Sequence, residues 1–295
     1  MTNVAVLDTR ERVLGGILLT GAAYLMFSLQ DASIKLLVTG ITVWQIMFFR
    51  SMIVLAGCVA VCGRPIFADT WRSPVAKSMA ARSLFTFSAW LCYYTAAKYL
   101  QLAELTTIYY AAPVIITVLS IVLLKEKVSA VRWLAVMMGF VGVFIACDPT
   151  ELGLSRPVLL VLAAAFLWAV AIVLLRKTAH QERTIIQVAL NNTHFLLLSA
   201  VPAFFLWQMP SWSELLLLLS VGVLGGVAQL LLFEGMKRAE ISIIAPMEYS
   251  SLIWAFALGY LIWGDTPRDG VFAGAALIVC AGLVIIGSER FRKRA

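Results

Sequence analysis

Ten stretches of this chain are long and apolar enough to cross a lipid bilayer as helices, and almost nothing lies between them. They run 13–35, 42–62, 75–98, 103–123, 130–147, 155–176, 184–206, 213–236, 241–263 and 268–288. A spanning helix needs about 20 mostly apolar residues, and unpaired backbone cannot face hydrocarbon. The expected fold is therefore an all-α integral membrane protein of ten transmembrane helices. The longest connection, "GRPIFADTWRSP" at 63–74, carries the Gly, Pro and Asp of a loop. Only 13% of residues are charged, whereas soluble domains carry about a quarter. A surface so poor in charge needs lipid as its partner.

The net charge of +7 does not point to nucleic acid, because in a membrane protein the position of Lys and Arg matters more than their sum. With the N-terminus in the cytoplasm, 18 of the 23 basic residues, Arg82 among them, fall at cytoplasmic ends. Lys35, Lys98, Arg156 and Arg268 fall outside, and Arg50 alone stays within the membrane. Both termini are thus expected inside, in a bacterial inner membrane, and the N-terminal stretch is expected to lack a cleavable signal. The five cysteines form no CxxC and no Cys/His cluster. Neither a metal site nor a cofactor is expected.

The sequence repeats itself weakly. Shifted by 142 residues, "AAYLMFSLQDASIK" (22–35) falls on "AAFLWAVAIVLLRK" (164–177), and "TVWQIMFFR" (42–50) on "TIIQVALNN" (184–192). Thr42 matches Thr184 and Gln45 matches Gln187, but Asn192 stands where the first copy has Arg50. Near the end of each half the shift is 139 to 140, and Gly142 comes beside Gly282. The reading is a duplication, with one five-helix repeat at 1–150 and a second at 151–295. An odd number of helices inverts the second copy, and in inverted-repeat transporters the substrate binds near the midplane between repeats.

Residues 93–145, "YYTAAKYLQLAELTTIYYAAPVIITVLSIVLLKEKVSAVRWLAVMMGFVGVFI", carry an aromatic and small-residue run, then Lys98, Pro113, Glu126, Gly139 and Gly142. This pattern, five plus five helices and the Arg in the second helix resemble the drug/metabolite transporter superfamily, specifically its EamA-type bacterial carriers. The resemblance implies a secondary transporter exporting amino acids or related metabolites, similar to aromatic amino-acid exporters. The second half departs from the pattern: Leu252 replaces the helical proline, and Pro246 comes earlier.

Polar groups at membrane depth are few enough to weigh singly. A charge at the centre of a span costs about 2.5–3.5 kcal/mol on insertion scales, so Arg50 should face the bundle and find a partner. Asp31, Glu248 and Glu234 are the candidates. Arg50 is read either as a clamp between helices or as a docking point for a substrate carboxylate. Glu248, two residues after Pro246, is read as a site for an amino group or proton, or as a solvated helix end. Asp31 lies near the outer end of its helix. Gln45, Gln187 and Asn192 are read as structural or gating polar residues that bond between helices.

Ser83, Phe87, Trp90 and Tyr94 make one helical stripe, and Tyr110 opens the polar face of the fourth helix. Trp168 and Trp254 lie well inside their spans, where an indole N–H needs a partner or a cavity. Gln229 shares a face with Gly222, Gly225 and Gly226, which suit close helix packing. Trp90, Tyr94, Tyr110, Trp168, Gln229, Glu248 and Trp254 are the expected substrate pathway. The deep aromatics and few charges favour neutral, bulky or aromatic amino acids; lipophilic cations and nucleotide sugars are the alternatives. A channel has no need of mirror-related halves, and an enzyme would need an acid/base or metal constellation that the sequence does not offer. Oligomeric state stays open between monomer and homodimer.

Overall fold

The computed structural model describes residues 2–63, 65–73, 76–124, 130–147, 155–178, 182–238 and 247–292. Their regular structure is helical, with no strand among them. In chain order the helices are α1 (Thr2–Leu37), α2 (Val43–Cys62), α3 (Pro65–Arg72), α4 (Ala76–Ala96), α5 (Leu102–Tyr109), α6 (Ala111–Leu124), α7 (Ala130–Cys147), α8 (Arg156–Thr178), α9 (Thr184–Phe205), α10 (Trp212–Arg238), α11 (Ser250–Trp263) and α12 (Asp269–Arg292).

Most boundaries follow local chemistry. Thr42 caps α2 by accepting from the Gln45 N–H, and α2 stops at Gly63, whose φ of 72° suits glycine. The 63–74 stretch, expected as a loop, instead contains α3, because Pro65 sits at a helix start where its missing N–H costs nothing. The fourth span, expected as one helix, breaks into α5 and α6 at Tyr110. Pro113 has no N–H to offer the carbonyl four residues back, at Tyr109. Pro246, the proline of the ninth span, lies outside the described residues, as does Glu126. Described structure resumes with a turn at 247–249 leading into α11.

Among the described residues, five segments are long and apolar enough to span a membrane unaided: Leu14–Leu37, Val43–Cys62, Arg156–Leu174, Thr184–Phe205 and Trp212–Leu232. Shorter apolar helices cover Leu102–Ile116, Trp133–Ala146, Ser250–Trp263 and Asp269–Val284. The ten windows expected from sequence are thus not all met by single long helices. One span is broken at Tyr110, and α4 begins with Lys77 and Arg82. Large apolar side chains face outward along these segments, including Phe140, Phe144, Phe166, Leu197 and Leu216. Such a surface suits lipid, which solvates it without the cost water would exact.

The pairing of helices positions everything else. Helix α1 packs on α10 and α11, α8 on α4 and α6, α2 on α9 and α10, α9 on α4, and α7 on α12. The α7–α12 crossing is tight enough that a Cβ on Gly142 would lie 2.8 Å from the Gly274 carbonyl oxygen. A Cβ on Gly274 would collide with the Gly142 carbonyl in turn. At the C-terminal end of α1, Lys35 donates to the Leu100 carbonyl at 2.8 Å and pairs with Asp265 at 3.5 Å. Beside it, Arg268 pairs with Glu104 at 3.3 Å. These two ion pairs tie α1 and α5 to the connection between α11 and α12.

Candidate functional site

Between these packed helices lies a cavity of about 460 Å³, within the range of small-molecule sites. Helix α1 contributes Tyr24, Phe27, Gln30 and Asp31, and α4 contributes Trp90, Tyr93 and Tyr94. The broken span supplies Thr106, Tyr109, Tyr110 and Pro113, α8 supplies Trp168, and the entry to α11 supplies Glu248, Tyr249 and Ser251. Among the described residues, the charged groups lining this space are two carboxyls, Asp31 and Glu248.

The aromatic wall is held by ring contacts and hydroxyl bonds. Tyr93 and Tyr109 meet edge to face at 5.1 Å, and Tyr110 stacks on Tyr249 at 5.6 Å with planes 21° apart. Tyr249 fits because Gly282 faces it; a Cβ there would collide with the ring. Gly282 therefore does a different job from its sequence match Gly142. The Tyr110 hydroxyl donates to the Glu248 carbonyl at 2.6 Å and lies 2.7 Å from Ser251 Oγ. The break at Tyr110 is thereby tied to the turn before α11. The Tyr93 hydroxyl donates to Asp31 Oδ2 at 3.4 Å, and Gln30 Nε2 donates to the Tyr94 hydroxyl at 3.1 Å.

Arg50 does not line the cavity. It is completely buried behind Trp90, with its guanidinium 4.0 Å from the ring centroid, a cation–π contact. Its Nη1 donates to Asn192 Oδ1 at 3.4 Å. Residues equated by the 142-residue shift thus touch each other. Asp31 and Tyr94 are within electrostatic reach, whereas Glu234 lies out on α10, half exposed, 4.0 Å from Arg238. Nε and Nη2 of Arg50 and Oε1 of Gln30 have no hydrogen-bond partner among the described residues. All three face Gly225, where a side chain would strike Gln30 and come within 3.1 Å of the guanidinium.

The remaining expected residues scatter. Gln45 makes two bonds to the backbone of Gln208, donating at 2.8 Å and accepting at 3.0 Å, so it pins the connection after α9. Gln187 donates to the Glu182 carbonyl at 3.0 Å. Gln229 and Gln187 line a separate void of about 120 Å³, bounded also by Trp90 and Trp168. Trp254 is half-buried and lies outside both linings; Ser251 and Ala255 present α11 to the cavity instead. Sequence reasoning missed Tyr24, Phe27, Tyr93 and Tyr249 as wall residues. Tyr93 stands one position off the chosen stripe, and Tyr249 stands beside the acid that was singled out.

Comparison with known proteins adds the following. The model of the EamA-like transporter family matches residues 14–147 and again 155–287. A riboflavin transporter of Vibrio cholerae is 30% identical over 187 residues, covering 62% of each chain. An S-adenosylmethionine uptake transporter of Rickettsia prowazekii is 25% identical over 286 residues, covering 96% of each. A solved crystal structure shares the fold, with a TM-score of 0.63 at 20% identity over 93% of this chain and 95% of its own.

Proposed function

Because this chain belongs to the EamA-like transporter family, we propose that it carries a flat, cationic metabolite across the membrane by alternating access between two inverted five-helix halves. The observation that carries this reading is the cavity's composition. An aromatic wall holds a planar group, and Asp31 and Glu248 are the charged residues facing it among those described. Aromatic faces also attract cations. A sulfonium- or ammonium-bearing heteroaromatic metabolite uses both features, whereas a polyanion would meet two carboxyls. The name of the full-length Rickettsia relative supports an S-adenosylmethionine-like substrate moving inward.

The inverted-repeat reading draws support from the helix pairs. If α1 corresponds to α8, α2 to α9, α4 to α10, α5 and α6 to α11, and α7 to α12, the packing is self-consistent. The α1–α10 pair mirrors α8–α4, α1–α11 mirrors α8–α6, and α2–α10 mirrors α9–α4. The α2–α9 and α7–α12 pairs map onto themselves, which puts Arg50 and Asn192 on the pseudo-symmetry axis. The same reading takes ten spans with both termini cytoplasmic, the orientation that the Lys and Arg bias favours.

Export of a neutral, bulky or aromatic amino acid is the second reading, favoured by the same aromatic wall, although it leaves one carboxyl without a role. Counterflow in proteoliposomes separates the two. Vesicles preloaded with S-adenosylmethionine should take up its labelled form saturably, with weak competition from tryptophan and riboflavin. Saturable counterflow of tryptophan without S-adenosylmethionine would replace the first reading by the second.

A further inference from the structure

We propose that the smaller void beside the main cavity is a subsite for the zwitterionic head of an α-amino acid, so that the substrate class is amino acids bearing a large flat or sulfonium group. The inference deepens the function proposed above and rests on it. The void lies between α4, α8, α9 and α10, and its polar lining residues are Arg82, Thr86, Gln187, Asn191 and Gln229. It adjoins the main cavity, and four residues line both spaces: Phe27, Trp90, Trp168 and Leu232. Arg82 precedes Trp90 by eight residues on one helix, about 12 Å along its axis. Head group and flat group would therefore lie on either side of Trp90 and Trp168.

The chemistry of the lining is complementary to that head. Arg82 is read from sequence as one of many cytoplasmic-end charges, yet it is only partly exposed and lines the void. Among the described residues its buried Nε has no hydrogen-bond partner and no carboxylate pairs with it. Asn191, 6% exposed, and Gln229 each present a buried amide oxygen without a donor. A buried guanidinium N–H and two buried acceptors, each without a partner among the described residues, ask for a ligand with an anion and a hydrogen-bond donor side by side. A carboxylate and an ammonium on one carbon satisfy both. Desolvated polar groups left in this condition are costly unless something fills the need. The main cavity cannot serve the carboxylate, since its described charged groups are acids. Riboflavin, having no such head, would gain nothing from the void.

The test compares acids with their decarboxylated counterparts, using calorimetric Kd values on the purified full-length carrier. One probe pair is S-adenosylmethionine and its decarboxylated form; the other is tryptophan and tryptamine. Wild type should favour the acid of a bound pair by about 10- to 100-fold, the range expected for a charge-assisted hydrogen bond. Arg82→Gln should bring that ratio close to one while the amine still binds as in wild type, which also shows that the variant is folded. Gln229→Met should weaken both members of a pair and leave the ratio intact, because both keep the ammonium. Equal weakening of acid and amine by Arg82→Gln, or a wild-type ratio near one, overturns the subsite. Tryptophan binding with the Arg82-dependent ratio, and no S-adenosylmethionine binding, keeps the subsite and removes the cationic substrate. S-adenosylmethionine binding with a ratio indifferent to Arg82 does the opposite, and binding of riboflavin alone removes both.

Discussion

Helices α2 and α9 meet through Arg50 and Asn192, one buried charge on one neutral amide, with two guanidinium nitrogens left unbonded among the described residues. Helices α7 and α12 meet through Gly142 and Gly274, backbone against backbone with no room for a methyl group. Both contacts join the first half of the chain to the second. The glycine contact leaves no space for a side chain on either residue. The arginine contact is under-satisfied, and it backs directly onto Trp90, a wall of the cavity. The two contacts therefore differ in what they lack: hydrogen-bond partners at α2–α9 and space at α7–α12.

The sharpest way to break this contrast is at Arg50. Arg50→Ala should cut counterflow by about a hundredfold or more, the scale of losing buried charge-assisted bonds; near-normal flux in a folded variant would remove its central role. Next in size, Glu248→Gln should raise KM for a cationic substrate by about tenfold, again on the scale of a charge-assisted bond, with little change for a neutral competitor. At the glycine contact, Gly274→Val should cost about 1–3 kcal/mol of stability through overpacking, read as a lowered Tm, with KM unchanged in the protein that folds. Trp254→Phe should leave KM within about twofold of wild type, since a residue lining neither space contributes little to binding.

Much of this was legible in the sequence because lipid permits so few solutions. Helices at 130–147 and 184–206 stand where the apolar windows put them, since length and hydropathy decide a span. Helix α3 was illegible because Pro65, a turn residue in one context, starts a helix in another. The repeat shift of 142 already paired Arg50 with position 192, but the search for a partner was confined to acids. Stacking on Trp90 and bonding to an amide satisfy a guanidinium in part without one. The stripe through Phe87, Trp90 and Tyr94 came from helical period alone, and period cannot reveal that Tyr93 also turns into the cavity. Nor can it show that Tyr249 has room only because Gly282 lies opposite. Those facts depend on neighbours distant in sequence.

Under the proposed alternating access, the space beside Ser251 and Tyr249 opens to each side of the membrane in turn. The direct test is Ser251→Cys in a carrier whose five native cysteines are replaced by serine or alanine and which still shows counterflow. A membrane-impermeant thiol reagent would be applied to right-side-out and to inside-out vesicles, with and without S-adenosylmethionine. Labelling from both faces is expected, with substrate slowing the reaction from each. Labelling from one face only, or at rates indifferent to every transported substrate, would contradict it.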